Sequence, residues 1–291
     1  MEIFVNDEAF TIERAGGESI GDLLSKADAL LEKAGAVIVA LSLDGRSIGP
    51  DELAVLGPKP ATETSRLEIV AESSSEYRSR ATRLLLDILG EALPLPDEQK
   101  RRKLGQSLSE IAESIGGIFP ADELALINSL EEEVRIANSR GSEDETLLAE
   151  QIATMEGIFR ERLAELSDPV AEFRRASGVY QGASEKLREL PVWLQTGKEK
   201  QAMQAVLVFV GLFDKVIRLM PLLGRKGVDT GAILVEGLEL PAFYASFNDV
   251  LAELAKAISD HDSVLIGDLS EYEVVPRMEG LFAAIGGALP A

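Results

Sequence analysis

The sequence contains no cysteine and only one histidine among its 291 residues. Without thiols the chain cannot form disulfides, thiolate zinc sites, iron–sulfur clusters or cysteine nucleophiles. The Glu-x-x-His spacing of ferritin-like di-metal sites does not occur around His261, because Ile258 precedes it by three residues. Serine-nucleophile, phosphate-loop, dinucleotide and kinase signatures are missing as well. We therefore expect no metal and no other cofactor, and we favour a non-catalytic protein.

Basic residues are scarce, with 29 lysines and arginines against 50 acidic residues and a net charge of −21. An acidic field repels phosphate backbones and anionic lipids, which argues against nucleic acid and membrane surfaces as partners. The dense basic run from Lys100 to Lys103 is predicted to be a solvated helix face whose charges balance Asp97 and Glu98. The N-terminus has neither a basic nor an apolar signal region, so we expect a cytoplasmic protein.

The longest apolar stretch runs from Gln201 to Leu223 and predicts a helix. Its apolar side chains cover most of a helical wheel and leave a narrow polar strip that includes Lys215 and Arg218. A membrane span is disfavoured because these two residues and Asp214 would lie at membrane depth, where charges are costly. We therefore predict a central helix that its neighbours bury.

The first 71 residues predict the order strand, strand, helix, strand, short strand, strand. The opening MEIFVN, the segment from Asp44 to Ile48 and the segment from Arg66 to Ala71 resemble the first strand, short fourth strand and closing strand of the ubiquitin-like β-grasp fold. Conjugated members of that family end in a free Gly-Gly tail, whereas this chain continues into a helical region. The resemblance therefore implies a small domain that docks partners or its own neighbouring domain, and not a carrier or modifier.

Helical signals fill the chain from Ser73 onward, so the predicted fold class is α+β. We divide the chain into a β-grasp domain at 1–71 and helical units at 72–167 and 168–291, the last beginning at the helix-start signal Asp168-Pro169. Glu76-Tyr77-Arg78 has a counterpart in Glu172-Phe173-Arg174. Such local similarity has two equally good explanations. One is an internal duplication into two four-helix units, and the other is chance similarity between amphipathic helices.

The stretch from Leu265 to Pro276 resembles a signature of bacterial proteins of unknown function, which implies a fold and no activity. Within it, Asp268 and Glu271 lie one helical turn apart. We expect this acidic face to pair with Lys215 and Arg218 of the central helix and to fix the register of the helices. The alternative is a carboxylate pair for acid–base chemistry or for a metal.

Aromatic residues supply further candidates for a binding surface. Trp193 and Tyr180 lie near the helix junction at Leu190-Pro191, and the other candidates are Phe243, Tyr244, Phe247 and Tyr272. Aromatic side chains at such places are typical both of a core and of the anchors of a binding groove. His261, between two aspartates in a predicted turn, is interpreted as a solvated turn residue and not as a general base.

These patterns favour a protein that docks a segment of a partner protein through its β-grasp domain or its helical grooves. The acidic surface would suppress unspecific contacts. The first alternative is a small-molecule pocket between helices of the C-terminal half, near the Phe243 cluster and the central helix. The second alternative is an acid–base enzyme that uses Asp268 and Glu271.

Overall fold

The structure, a computed structural model, describes residues 1–13, 16–61, 65–93, 97–140 and 145–290. These residues have the α+β fold that the sequence predicts, with a mixed sheet at the N-terminus followed by helices. The chain divides into two compact units, Met1–Leu163 and Ala164–Ala291. The finer division into three domains remains a prediction. Among the described helices, none has the length and apolar character that crossing a bilayer requires.

The first unit begins with a sheet of five strands in the described residues. Its elements are β1 (Glu2–Val5), β2 (Glu8–Ala9), α1 (Ile20–Lys33), β3 (Ala36–Leu43), β4 (Arg46–Ser47), α2 (Pro50–Leu56) and β5 (Arg66–Ser73). The strand order is β2-β1-β5-β3-β4. The central pair β1 and β5 is parallel, and the other pairs are antiparallel. This arrangement is compatible with a β-grasp.

Turn chemistry fixes the two hairpins of the sheet. Asn6 and Asp7 have φ values of 49° and 68°, and Asp44 and Gly45 have values of 52° and 79°. A two-residue hairpin loop with positive φ at both positions follows the right-handed twist of its strands, and Asn, Asp and Gly adopt it most readily. The side chain of Asn6 also exchanges two hydrogen bonds of 2.9 Å with the backbone of Ala71, so the first hairpin is joined to β5.

Helix α1 packs its apolar face on the sheet. Ser19 and Asp22 form a capping box at its start, which satisfies backbone donors that the first turn leaves free. Its residues Leu23 and Ala27 are buried in one core with Ile3 and Ile69 of the central strands. The regularly spaced apolar residues that predict this helix are thus the same residues that pack on the sheet.

Four helices follow the sheet, and all but the last four residues of the fourth belong to the first unit. They are α3 (Ser74–Ala92), α4 (Glu98–Ile115), α5 (Ala121–Arg140) and α6 (Glu145–Ser167), and their buried residues form a second core. The basic run on α4 is solvated only in part. Arg102 and Lys103 are exposed and pair with Glu98 and Glu91, as a solvated face requires. Arg101, in contrast, is buried with 4% of its surface exposed, so the prediction is wrong for that residue.

The second unit is built mainly of helices. They are α7 (Pro169–Arg188), α8 (Leu190–Gln195), α9 (Glu199–Arg225), α10 (Leu240–Ser259), α11 (Ser263–Asp268) and α12 (Val275–Ala288). A small hairpin of β6 (Leu234–Val235) and β7 (Leu238–Glu239) precedes α10, and a π-helical segment at Leu269–Val274 connects α11 to α12. Pro276 lies in the first turn of α12, where a proline is tolerated.

The central helix α9 is confirmed as a helix, but the prediction that its neighbours bury it all round is wrong. Helices α7, α8 and α10 cover one side, where Phe209, Val216 and Leu219 have 1% or less of their surface exposed. On the opposite side Leu207 remains 64% exposed. Lys215, part of the predicted polar strip, is buried instead. The helical wheel could not show this, because nearly every face of α9 is apolar.

Candidate functional site

A cleft of about 370 Å³ lies in the second unit between α8, α9, the end of α10 and the start of α11. Its walls are mainly aliphatic, and they consist of Leu190, Leu194, Ala202, Met203, Val206, Ile258 and Ile266. Helices α8 and α11 approach closely at Gly267, where a Cβ atom would lie only 3.0 Å from Cγ of Pro191. A side chain at position 267 would therefore push apart two of the helices that form the cleft.

Polar residues of the cleft are mainly hydrogen-bond acceptors. Gln195 donates from Nε2 to Oγ of Ser263 over 3.3 Å, and the carboxylate of Glu199 adds a negative charge. His261 has Nδ1 at 3.0 Å from the carbonyl oxygen of Ser259. Because a carbonyl oxygen only accepts, Nδ1 carries a proton in this hydrogen bond, and in the tautomer with one ring proton Nε2 is the acceptor. Among the described residues that line the cleft, none is a lysine or an arginine. The cleft thus combines an aliphatic interior with an acceptor-rich, negatively charged border.

His261 occupies the turn between α10 and α11 with a φ of 57°. Its side chain is exposed, as the sequence predicts for a solvated turn residue. The positive φ reverses the chain at this point and places the imidazole among the residues that line the cleft. The sequence did not indicate this second role.

Lys215 and Arg218 do not form the predicted pairs with Asp268 and Glu271. Nζ of Lys215 donates to Oε2 of Glu172 on α7 over 2.8 Å, and Arg218 contacts Glu165 at 3.1 Å. The two glutamates are almost fully buried, with 3% of Glu172 and 2% of Glu165 exposed. Helix α7 lies directly against α9, so its carboxylate reaches Lys215 where the acidic face of α11 does not.

Asp268, Glu271 and Tyr272 lie on the surface of the second unit. Tyr272 has 67% of its surface exposed. The structure does not bring them to the cleft or to the cations of α9. Among the described residues, no group of three or more histidines and carboxylates has the geometry to hold a metal ion.

The aromatic candidates on α10 lie in the core. Phe243 and Phe247 are fully buried, and their rings stack at a centroid distance of 5.6 Å. Phe247 also meets Phe213 of α9 edge to face at 5.1 Å. Tyr244 packs against the same ring of Phe213 at 6.0 Å, and burial raises its pKa to about 12. These rings join α9 to α10 and lie outside the lining of the cleft.

Tyr180 and Trp193 occupy different environments. Tyr180 is 4% exposed, stacks on Phe282 at 4.8 Å and donates its hydroxyl to the carbonyl oxygen of Val275 over 3.0 Å. Burial raises the pKa of this phenol above its usual range. Trp193 is half-buried on α8 and packs against the edge of the core. Its neighbour Leu194 lines the cleft.

A separate buried charge cluster lies in the first unit. Glu123 of α5 is 1% exposed and contacts Arg78 of α3 at 2.5 Å and Arg162 of α6 at 3.1 Å. Burial raises the pKa of the Glu123 carboxyl, against the opposing effect of the two arginines. The cluster connects α3, α5 and α6, and no sequence pattern predicts it.

Several residues that line the cleft are not among the site residues predicted from the sequence, namely Glu199, Ala202, Met203, Val206 and Ile258. The sequence signal for this site is limited to the short spacing of the helix-breaking residues Pro191 and Gly197, which places termini of the three helices α7, α8 and α9 close together in sequence. Which side chains converge there depends on how the helices cross, and a linear pattern does not specify that angle.

Two family models match parts of the chain. Residues 1–73 match the model of the TP0873 N-terminal domain, and residues 172–283 match that of a domain of unknown function, DUF8042. The second match includes the segment from Leu265 to Pro276 whose signature resembled proteins of unknown function, and it also includes every residue that lines the cleft. Neither match names a ubiquitin-like family. No curated protein and no solved structure matches the chain.

Proposed function

We propose that this protein is a non-catalytic interaction module which docks a segment of a partner protein in the cleft between α8, α9, α10 and α11. The observation that carries this proposal is the combination of an aliphatic interior with an acceptor-rich border in one concave site. Apolar grooves between helices commonly bind the apolar side chains of a partner segment, and the polar groups at their edges set its orientation.

The aliphatic interior defines the anchor of the partner segment. The walls at Leu194, Val206 and Ile258 carry no charge and no hydrogen-bonding side chain. The room available, about 370 Å³, suits one or two aliphatic side chains of the partner. Burial of such a side chain gains roughly 1.5–3 kcal/mol, which makes it the main source of affinity.

The border defines the residues next to the anchor. Glu199, Nε2 of His261 and the amide oxygen of Gln195 all accept hydrogen bonds, so they favour a donor with a positive charge. The net charge of −21 also attracts a basic segment and repels an acidic one. The proposed occupant is therefore a segment of a partner protein with an aliphatic anchor beside a lysine or an arginine.

We assign the N-terminal domain to the ubiquitin-like β-grasp type, as a docking domain. The strand order β2-β1-β5-β3-β4 with a parallel central pair supports this assignment. Strand β5 ends at Ser73 and α3 begins at Ser74, so the closing strand runs directly into a helix. This continuity supports a docking role over conjugation, which needs a free C-terminal tail.

Selection of peptides from a random phage-displayed library on the immobilised full chain tests the proposal. We expect the enriched peptides to share an aliphatic residue beside lysine or arginine. Fluorescence polarisation with a synthetic selected peptide then compares wild type with Leu194→Asp and Glu199→Lys. Each variant should weaken binding by about tenfold or more, because one places a charge in the apolar wall and the other repels the basic residue.

Matched controls exist on the same or a neighbouring helix. Val192→Asp changes an exposed residue of α8, and Asp249→Lys reverses an exposed charge of α10, both outside the lining of the cleft. Both controls should bind like wild type, and circular dichroism should show that all four variants fold. Selected peptides that are acidic, or that bind the two cleft variants as tightly as wild type, would refute the proposal.

A small-molecule ligand is the second candidate, because the volume of the cleft lies within the range of roughly 300–1,000 Å³ that is usual for ligand sites. The same chemistry predicts an aliphatic amine. Hexylamine should raise the melting temperature of wild type but not of Glu199→Lys, whereas hexanoate, with a similar tail and the opposite charge, should not raise it. Stabilisation by hexylamine without any enriched peptide would favour the small-molecule function over docking.

A further inference from the structure

Helix α9 carries a stripe of exposed apolar side chains that no other part of the described chain covers. Met203, Leu207, Val210 and Ile217 have 50%, 64%, 44% and 39% of their surfaces exposed. Monomeric proteins commonly expose single apolar residues, but several on one face of a helix are a feature of interaction surfaces. Asp214 is also exposed and lies on the same face of α9, between Val210 and Ile217.

The spacing of this stripe is that of a helix–helix seam. Its positions follow one another by three, four, three, four and three residues from Lys200 through Met203, Leu207, Val210 and Asp214 to Ile217. Alternating steps of three and four keep side chains on the face with which one helix packs along another. The stripe extends over about 26 Å of helix at 1.5 Å per residue. A second helix, laid nearly parallel or antiparallel to α9, fits it.

We propose that this stripe is a homodimer interface, in which α9 packs antiparallel against α9 of a second copy of the chain. In a parallel pair in register, Lys200 would meet Lys200 of the partner subunit and Asp214 would meet Asp214 of the partner subunit. Like charges at the seam oppose that arrangement. The charges of the stripe thus select the antiparallel direction.

In an antiparallel pair whose twofold axis passes midway between Leu207 and Val210, each of the six positions of the stripe lies level with a stripe position of the partner subunit. Leu207 then lies level with Val210 of the partner subunit, and Met203 with Asp214 of the partner subunit. Lys200 lies within one helical turn of the partner subunit's Asp214, close enough for its long side chain to reach the carboxylate. Twofold symmetry repeats this ion pair at the other end of the seam.

Both charged residues are available for such a pair. Lys200 and Asp214 are exposed, and neither forms an ion pair with another described residue of its own chain. The proposal goes beyond the docking function, because Leu207 and Asp214 lie outside the lining of the cleft. Met203 alone belongs to both surfaces.

Sedimentation velocity of the full chain over a concentration series tests the proposal. We expect a reversible monomer–dimer equilibrium for wild type, and a dissociation constant about tenfold or more higher for Leu207→Glu. Val179→Glu changes another exposed apolar residue, on α7 with 50% of its surface exposed, and should leave the equilibrium unchanged. A wild-type chain that stays monomeric at its highest attainable concentration would overturn the proposal, as would a dimer that Leu207→Glu does not weaken.

Charge reversal tests the antiparallel direction. Lys200→Glu and Asp214→Lys should each weaken the dimer, and the double variant should restore most of the loss because it exchanges the two charges. In a parallel pair each residue faces its own copy, so no restoration would occur.

Cross-linking provides a third readout, because the wild-type chain has no cysteine. Leu207→Cys should give a covalent dimer with a short bismaleimide at low protein concentration, and Val179→Cys should not. Equal cross-linking of the two variants would refute the assignment of the seam.

Discussion

Replacing Lys215 with methionine tests whether the buried pair with Glu172 stabilises the second unit. Nζ of Lys215 lies 2.8 Å from Oε2 of Glu172, and the side chains are 10% and 4% exposed. Methionine fills a similar volume, so the change removes the charge without opening a large cavity. Removing one partner of a buried ion pair typically costs about 3–5 kcal/mol, because the other charge remains buried. Glu172 retains its contact with Arg175, so we expect a loss of about 2–4 kcal/mol.

Urea unfolding followed by tryptophan fluorescence measures this loss. Trp193 is the only tryptophan of the chain and belongs to the second unit, so its signal reports on the part that contains the pair. Lys186→Met serves as a control at an exposed position of α7, and it should change the free energy of unfolding by less than about 0.5 kcal/mol. Combining Lys215→Met with Glu172→Gln should recover part of the loss, because the uncompensated carboxylate is then gone. A cost for Lys215→Met no larger than that of the control would refute the reasoning.

Two further predictions concern buried polar groups. Tyr180→Phe should lower the free energy of unfolding by about 1 kcal/mol, because it removes the hydrogen bond to Val275, whereas Tyr244→Phe should be neutral or slightly stabilising because its buried hydroxyl has no hydrogen-bond partner among the described residues. Urea unfolding of both variants by Trp193 fluorescence checks this, and an equal loss for the two would contradict it. For Glu123, whose pKa is raised in the folded protein, the carboxyl binds its proton more tightly in the folded chain than in the unfolded one. Wild type should therefore gain stability relative to Glu123→Gln as the pH falls from neutral towards 4.5, the unfolded value, and the difference should stay constant below it. Urea unfolding by circular dichroism across this range measures the difference, and a relative loss for wild type would show that the arginines outweigh burial.

Local chemistry explains which parts of the fold were predictable. The turns at Asn6-Asp7 and Asp44-Gly45 and the helix start at Asp168-Pro169 depend on residues adjacent in sequence, and the structure confirms all three. Asp168, for example, accepts a hydrogen bond from the backbone of Ala171 over 2.9 Å, as a capping residue should. Such features are set by backbone preferences and are largely independent of the rest of the fold.

Tertiary pairing explains which parts were not predictable. Lys215 has a partner on α7 and not on α11, and the choice follows from which helix crosses α9 at that level. Arg101 is buried although it belongs to a run of four basic residues, because it lies on the same face of α4 as the buried residues Leu104 and Leu108. The lining of the cleft combines residues from four helices, and their approach angles are not encoded in any one periodic pattern.

Helix α9 shows how one apolar sequence can serve several surfaces at once. Phe209 and Val216 face the core, Val206 and Ala202 face the cleft, and Leu207 faces outward. A helix that is apolar on most of its faces is normally fully buried or membrane-spanning, but here the third face is left uncovered by the described chain. An uncovered apolar face lowers solubility unless something binds it, so its presence on a strongly acidic chain is best explained by an interaction. The proposed dimer interface and the proposed docking cleft share only Met203, so Leu207→Glu should weaken the dimer by about tenfold or more while leaving peptide binding in the cleft intact.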